Sequence, residues 1–414
     1  METRSEPEQS YNELALESRT QPMKSSHKAI ARLSAITLFA FALTGCRPHD
    51  FPQYPPNYRE YAYVTNGGSG TVSVIDVVNV RLDREIAVGQ NPVAVAVSPT
   101  RNEVYVVNSG AAGAQGSVSI INAENNTVAG SILVHRAPLS IEIDPAGGLA
   151  YVANSGSNTI SVLDLKTRQE IAAIGAGEEP VAARLSPDGK TLVVANRKAG
   201  SVSLIDPAAR QLRAVFEGCP GAADAVILPD SSKAFVACSA GHQIMAIALA
   251  RAQAQNAPST PAPPDRMEAL LDVGQAPLQL ALKPDGGELF ALNSLSNSIS
   301  EAVTSTNDVG GAYMIGDYPV RGLVSADNSL LYVANFHSQY ISVYAIDDGR
   351  RIGSIRVGDG PSALAFSNSG LLLFSVDTES GDVAVVRTRS RSLFTLLPAG
   401  RAPNAIVVKA FRLE

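Results

Sequence analysis

The chain has 414 residues, 45% of them hydrophobic and only 17% charged, with 33 Gly, 25 Pro and no Trp. That composition supplies a core, excludes general disorder, and favours many short elements over long helices. Lys and Arg number 33 against 39 Asp and Glu, a net charge of −6, so no nucleic-acid partner is expected, because such binding needs a basic surface.

The first recognisable element is an export signal. Leu33 to Leu43 form an 11-residue apolar run after Lys24, Lys28 and Arg32. A bilayer-spanning helix needs about 20 residues, so the run reads as the apolar part of a signal peptide. The segment before Met23 carries five Glu and two Arg, which does not suit a signal, and Met23 is the alternative start. The run ends in Leu43-Thr44-Gly45-Cys46, which resembles the lipobox of bacterial lipoproteins. The resemblance implies a signal over 1–45, a lipid on Cys46 and, because Arg47 rather than Asp follows, sorting to the outer membrane, facing periplasm or cell surface. Arg47–Glu60, with four Pro, reads as a semi-rigid tether, completing a membrane-anchored segment over 46–60.

A single repeat domain is expected over 61–411. Tyr63-Val64-Thr65-Asn66, Tyr105-Val106-Val107-Asn108, Tyr151-Val152-Ala153-Asn154 and Tyr332-Val333-Ala334-Asn335 are clear copies, with weaker ones starting at Val193, Phe235, Phe290 and Phe374. Around each lie the same phrases. A Pro-initiated apolar segment leads to a tight turn such as Ser186-Pro187-Asp188-Gly189, and the Tyr-Val-x-Asn segment follows. A polar loop then precedes an alternating segment such as Thr71–Asp76, and a last segment such as Arg351–Gly358 closes the unit. Period-two alternation between turn residues marks strands, and four strands in about 42 residues make a β-propeller blade.

The first unit lacks an opening strand, and Ala402–Phe411 is an opening strand with nothing after it. The expected fold is therefore all-β: an eight-bladed β-propeller of four-stranded blades, closed by the C-terminal strand. Seven blades is the alternative if Ala222–Gln275 is an insertion. The Pro/Ala/Gln-rich stretch Arg251–Arg266 reads as a disordered loop between third and fourth strands.

These repeats resemble the YVTN-repeat, or YncE-like, β-propeller family over about Tyr61 to Phe411. The fifth and sixth units depart from the motif, Cys238 replacing its Asn and Leu292 preceding Asn293. The resemblance implies the fold and leaves the activity open.

Candidate chemistry lies along the axis. If opening strands alternate, the second and fourth residues after Pro face the channel. Most are Ala, such as Ala94, Ala96, Ala182 and Ala281; the exceptions are Glu142, Arg184, Asp224, Gln279 and Arg321. Glu142 and Arg184 are expected to pair, as a structural feature or beside Arg321 in an anion site. His135 is placed in a blade-to-blade loop, and His242 and His337 in second-to-third-strand loops, all on one face. Cys219 and Cys238 are candidates for a disulfide in an exported protein.

No metal spacing, nucleophile elbow or phosphate loop occurs, so no metal, cofactor or catalytic residue is assigned. The reading is a lipid-anchored envelope module for a protein, glycan or small ligand. The alternative is an enzyme or cofactor carrier of lactonase-like or non-covalent haem type that uses the channel.

Overall fold

The computed structural model describes residues 54–250 and 264–413. The signal segment, Cys46, most of the tether and the stretch 251–263 lie outside the described residues. Eight four-stranded antiparallel sheets form eight blades, seven of them from consecutive strands. The first blade combines Tyr58–Asn66, Thr71–Asp76 and Arg81–Ala87 with the distant Pro403–Arg412 as its innermost strand. The propeller thus starts at Tyr58, three residues before the expected boundary, because Tyr58 to Glu60 continue the pairing with Arg412 to Ala410. Ala222–Ile227 opens a full fifth blade with Lys233–Cys238, Gln243–Ala248 and Arg266–Asp272, which removes the seven-blade alternative. In that blade Asp265 accepts two hydrogen bonds from Arg213, at 2.7 and 2.9 Å, so the expected loop gives way to ordered structure before Arg266.

Burial falls from the middle of each blade to its edge. Glu103–Asn108 and Leu330–Asn335 are buried along nearly their whole length, whereas the outermost Gln211–Glu217 is largely exposed. A blade stands between two neighbours, so both faces of its central strands pack. Eight apolar clusters fill the eight gaps between adjacent blades. One joins Tyr63, Val72, Val74 and Ile86 of the first blade to Val104, Val106 and Ile121 of the second. Another joins Val64, Ile75 and Ile406 to Phe374, Val376 and Val385 of the eighth, across the closure.

The motif asparagine is a structural joint. Asn196 Nδ2 donates to Ser203 Oγ at 2.9 Å, and Asn335 Nδ2 to Ser342 Oγ at 3.0 Å. A serine two places into the following strand thus explains phrases such as Ser201–Asp206. The preceding blade presses a glycine onto this pair, and a Cβ on Gly177 would stand 2.7 Å from Asn196. In the fifth blade the two positions are taken by Cys219 and Cys238, which are joined by a disulfide. In the eighth they are Gly358 and Asp377, and the Gly358 N–H donates to the carboxylate at 2.9 Å.

Candidate functional site: the central channel

Each innermost strand pairs on one side only, with the second strand of its blade, so its other edge faces the axis. The strands therefore meet the channel edge-on. Consecutive residues line it, as in Val93-Ala94-Val95 and Leu139-Ser140-Ile141. This corrects the expectation that only the second and fourth residues face inward; alternation separates two blade-to-blade contacts, not channel from core.

An exposed strand edge carries unpaired N–H and C=O groups that need partners. The polar side chains at the axis supply many of them. Asp224 Oδ2 accepts from Leu280 N–H of the next blade at 3.3 Å, and Gln279 Oε1 from Gly322 N–H, again one blade on, at 2.7 Å. Gln279 Nε2 donates to Leu280 O at 2.6 Å, and Asn404 Nδ2 to Pro92 O at 2.9 Å. Glu142 lies beside the same belt; burial pushes its carboxyl up, while the Arg184 charge and the nearby Leu185 backbone pull it down.

Arg184 forms its ion pair with Asp224, Nη2 to Oδ1 at 3.0 Å, and donates through Nη1 to Ala183 O at 3.2 Å. The expected direct pair with Glu142 is not formed; Asp224, one blade on, takes the guanidinium, and Glu142 acts on it through its charge. Burial opposes the charge of Arg184, but Asp224 and Glu142 hold its pKa above the usual value. Arg321 differs. It makes no hydrogen bond or ion pair with any described residue, burial pushes its pKa down, Asp224 offsets part of that, and Arg184 adds to it. A guanidinium nonetheless keeps its proton at any physiological pH.

Arg184, Asp224, Gln279 and Arg321 line one cavity of about 380 Å³, together with Asn404 and small or aliphatic residues from the first half of the innermost strands. Those strands begin at the blade-to-blade loops, so the cavity lies toward that face. Glu142 is not in its wall. Asn404 was missed from sequence because it occupies the first place after Pro403, outside the alternation rule; its amide, unlike the valines and leucines at that place in five other blades, was the available signal.

Residues 115–257 match the model of the family described as YNCE-like beta-propeller. The propeller is YNCE-like over that span. No curated protein sequence matches this chain. Among solved structures, the dihydro-haem d1 dehydrogenase NirN, in complex with DHE, is similar at 16% identity and a TM-score of 0.69, covering 89% of this chain and 78% of that one. Hydrazine synthase of Kuenenia stuttgartiensis is similar at 18% identity and a TM-score of 0.54, covering 72% and 95%. A functionally unknown protein from Desulfotomaculum acetoxidans is similar at 14% identity and a TM-score of 0.56, covering 84% and 98%. At these identities the likeness is one of fold.

The histidines of the propeller are each engaged separately. His135 lies in the strand Thr127–Arg136 rather than in a loop, with Nε2 3.2 Å from Glu170 on the outermost strand of the third blade. That contact joins the second blade to the third. His242 accepts the Ala276 N–H on Nδ1 at 3.1 Å. His337 stacks on Tyr318, ring centroids 4.4 Å apart, with Phe336 alongside. No group of three or more metal-ligating side chains is assembled among the described residues.

Proposed function

We propose that this protein is a binding module of the cell envelope, exported and lipid-anchored at Cys46, that receives a small ligand in the mouth of its channel. The observation that supports this most is the cavity on the axis, whose walls come from the innermost strands of a closed ring. Walls built from paired strands are preorganised, so little ordering cost falls on binding. Proteins or glycans docking on the loop face are the other partners of such a module. The anchor follows from the signal and lipobox pattern and places the module at a membrane without spanning it.

The test is native mass spectrometry of the full protein gently extracted from its own envelope. A reproducible added mass of small-molecule size supports channel binding. A bare mass, or only a co-purifying protein, moves the function to the loop face. Labelled palmitate incorporated into the wild type but not into Cys46→Ser checks the anchor.

A second reading, a cofactor carrier or enzyme of the same channel, has one observation in its favour: the likeness to NirN covers 89% of this chain. His135 meets Glu170 and His242 accepts through Nδ1, whereas Nε2 of His242 and both ring nitrogens of the stacked His337 carry no hydrogen bond to a described residue. Lactonase-like hydrolysis would need an acid or base at the mouth. Glu142 is outside the cavity wall, and Asp224 is committed to Arg184 and Leu280. A visible absorbance band in the extracted protein would decide for the carrier.

A further inference from the structure

Resting on the channel-binding reading, we infer that the cavity is built for a small organic anion, a carboxylate or phosphate head with a short apolar body, gripped by Arg321. The argument is an accounting of polar partners. Asp224, Gln279 and Asn404 bond strand edges, Arg184 or Thr65, and Arg184 places two of its five donors on Asp224 and Ala183 O. Ser140 Oγ has no partner, but it is shut off from solvent and cannot meet a ligand. Arg321 is left as the one charged side chain of the wall whose donors no described residue takes up.

Charge points the same way. Two guanidiniums and one carboxylate leave the wall with one net positive charge. Asp224 is bound on both oxygens, so it cannot swing over to neutralise Arg321 without breaking its contacts to Arg184 and Leu280. A partly desolvated guanidinium with free donors is met best by a planar or tetrahedral oxyanion that takes two of them at once. Val93, Leu139, Val181, Leu278 and Val320 supply aliphatic wall from five blades, which suits an apolar body behind the charged head. The volume of about 380 Å³ falls in the range of small-molecule sites.

The experiment titrates detergent-solubilised full-length protein at low salt with benzoate, phenyl phosphate, inorganic phosphate and benzyl alcohol, reading affinity by calorimetry and the melting temperature. Benzoate or phenyl phosphate should bind and raise the melting temperature, and benzyl alcohol should not. The stronger of the two ligands identifies the head group. Arg321→Ala should weaken binding by about 10- to 100-fold, with Arg321→Lys recovering part of it, and both should melt near the unliganded wild type. Equal response to benzyl alcohol, anion binding unchanged in Arg321→Ala, or no response to any anion overturns the inference. A retained native mass that benzoate and phosphate fail to displace would overturn it while leaving channel binding intact. A clean native mass together with no anion binding would remove both.

Discussion

Six blades close the joint to their neighbour with a motif asparagine, and the fifth and eighth replace it in opposite ways. In the fifth, Cys238 and Cys219 exchange a network of hydrogen bonds for one covalent bond between consecutive blades. In the eighth, Asp377 keeps the asparagine shape but brings a carboxyl into a fully buried site beside Asp382. The first replacement depends on redox state and is indifferent to pH; the second is the reverse. One position of the repeat thus tolerates three chemistries, provided the glycine or its substitute on the preceding blade is matched to it.

Breaking the covalent joint should have the largest effect. Cys219→Ala with Cys238→Ala, or reduction of the wild type, opens a loop with a sequence separation of 19 and should cost about 3 kcal/mol in chemical denaturation. An unchanged midpoint would mean that the fifth blade is held by packing alone. Overfilling an ordinary joint should cost somewhat less. Gly177→Ala drives a methyl to 2.7 Å from Asn196, for an expected loss of about 1–3 kcal/mol.

The eighth joint should respond to pH. Burial pushes the Asp377 carboxyl up to about 8, with Ser375 and Gly358 pulling down and Asp382 adding to the rise. The folded state therefore favours the protonated acid, which the unfolded chain gives up near pH 4. Stability from this group is complete below that pH and is lost as pH rises toward 8. Asp377→Asn should remove the slope, stabilising the protein at pH 8 and changing it little at pH 4. Parallel melting curves for both proteins across that range would contradict it. The smallest effect belongs to the channel: Arg321→Ala should move the unliganded stability by no more than about 0.5 kcal/mol, because no hydrogen bond or ion pair to a described residue is lost.

These joints also show what the sequence discloses. The blade count was readable because each strand type recurs between turn signals, and the closure because the first unit lacks what the last supplies. Even the pairing of Cys219 with Cys238 has a repeat logic, since they stand where Gly177 and Asn196 stand one blade earlier. The channel was harder to read. Residues of composition unlike Ala identified Arg184, Asp224 and Arg321 as channel groups, but periodicity carries no information about which side chain a long guanidinium reaches. Arg184 had a carboxylate one blade back and another one blade on, and only coordinates separate them. The Asp377–Asp382 pair stayed hidden because an acid at a motif asparagine looks conservative until its burial is known.

The closure has a consequence in time. Thr65 Oγ1 bonds Asn404 Oδ1 across 339 residues of chain, and Lys409 Nζ reaches Ser98 O on the second blade. Contacts this distant are among the last a chain can form, because their loop-closure entropy comes due before any reward. The first blade emerges earliest yet must wait, with one strand edge open, for the final ten-residue strand Pro403–Arg412. Until that strand arrives the chain is an open arc whose unpaired strand edge invites pairing with another copy.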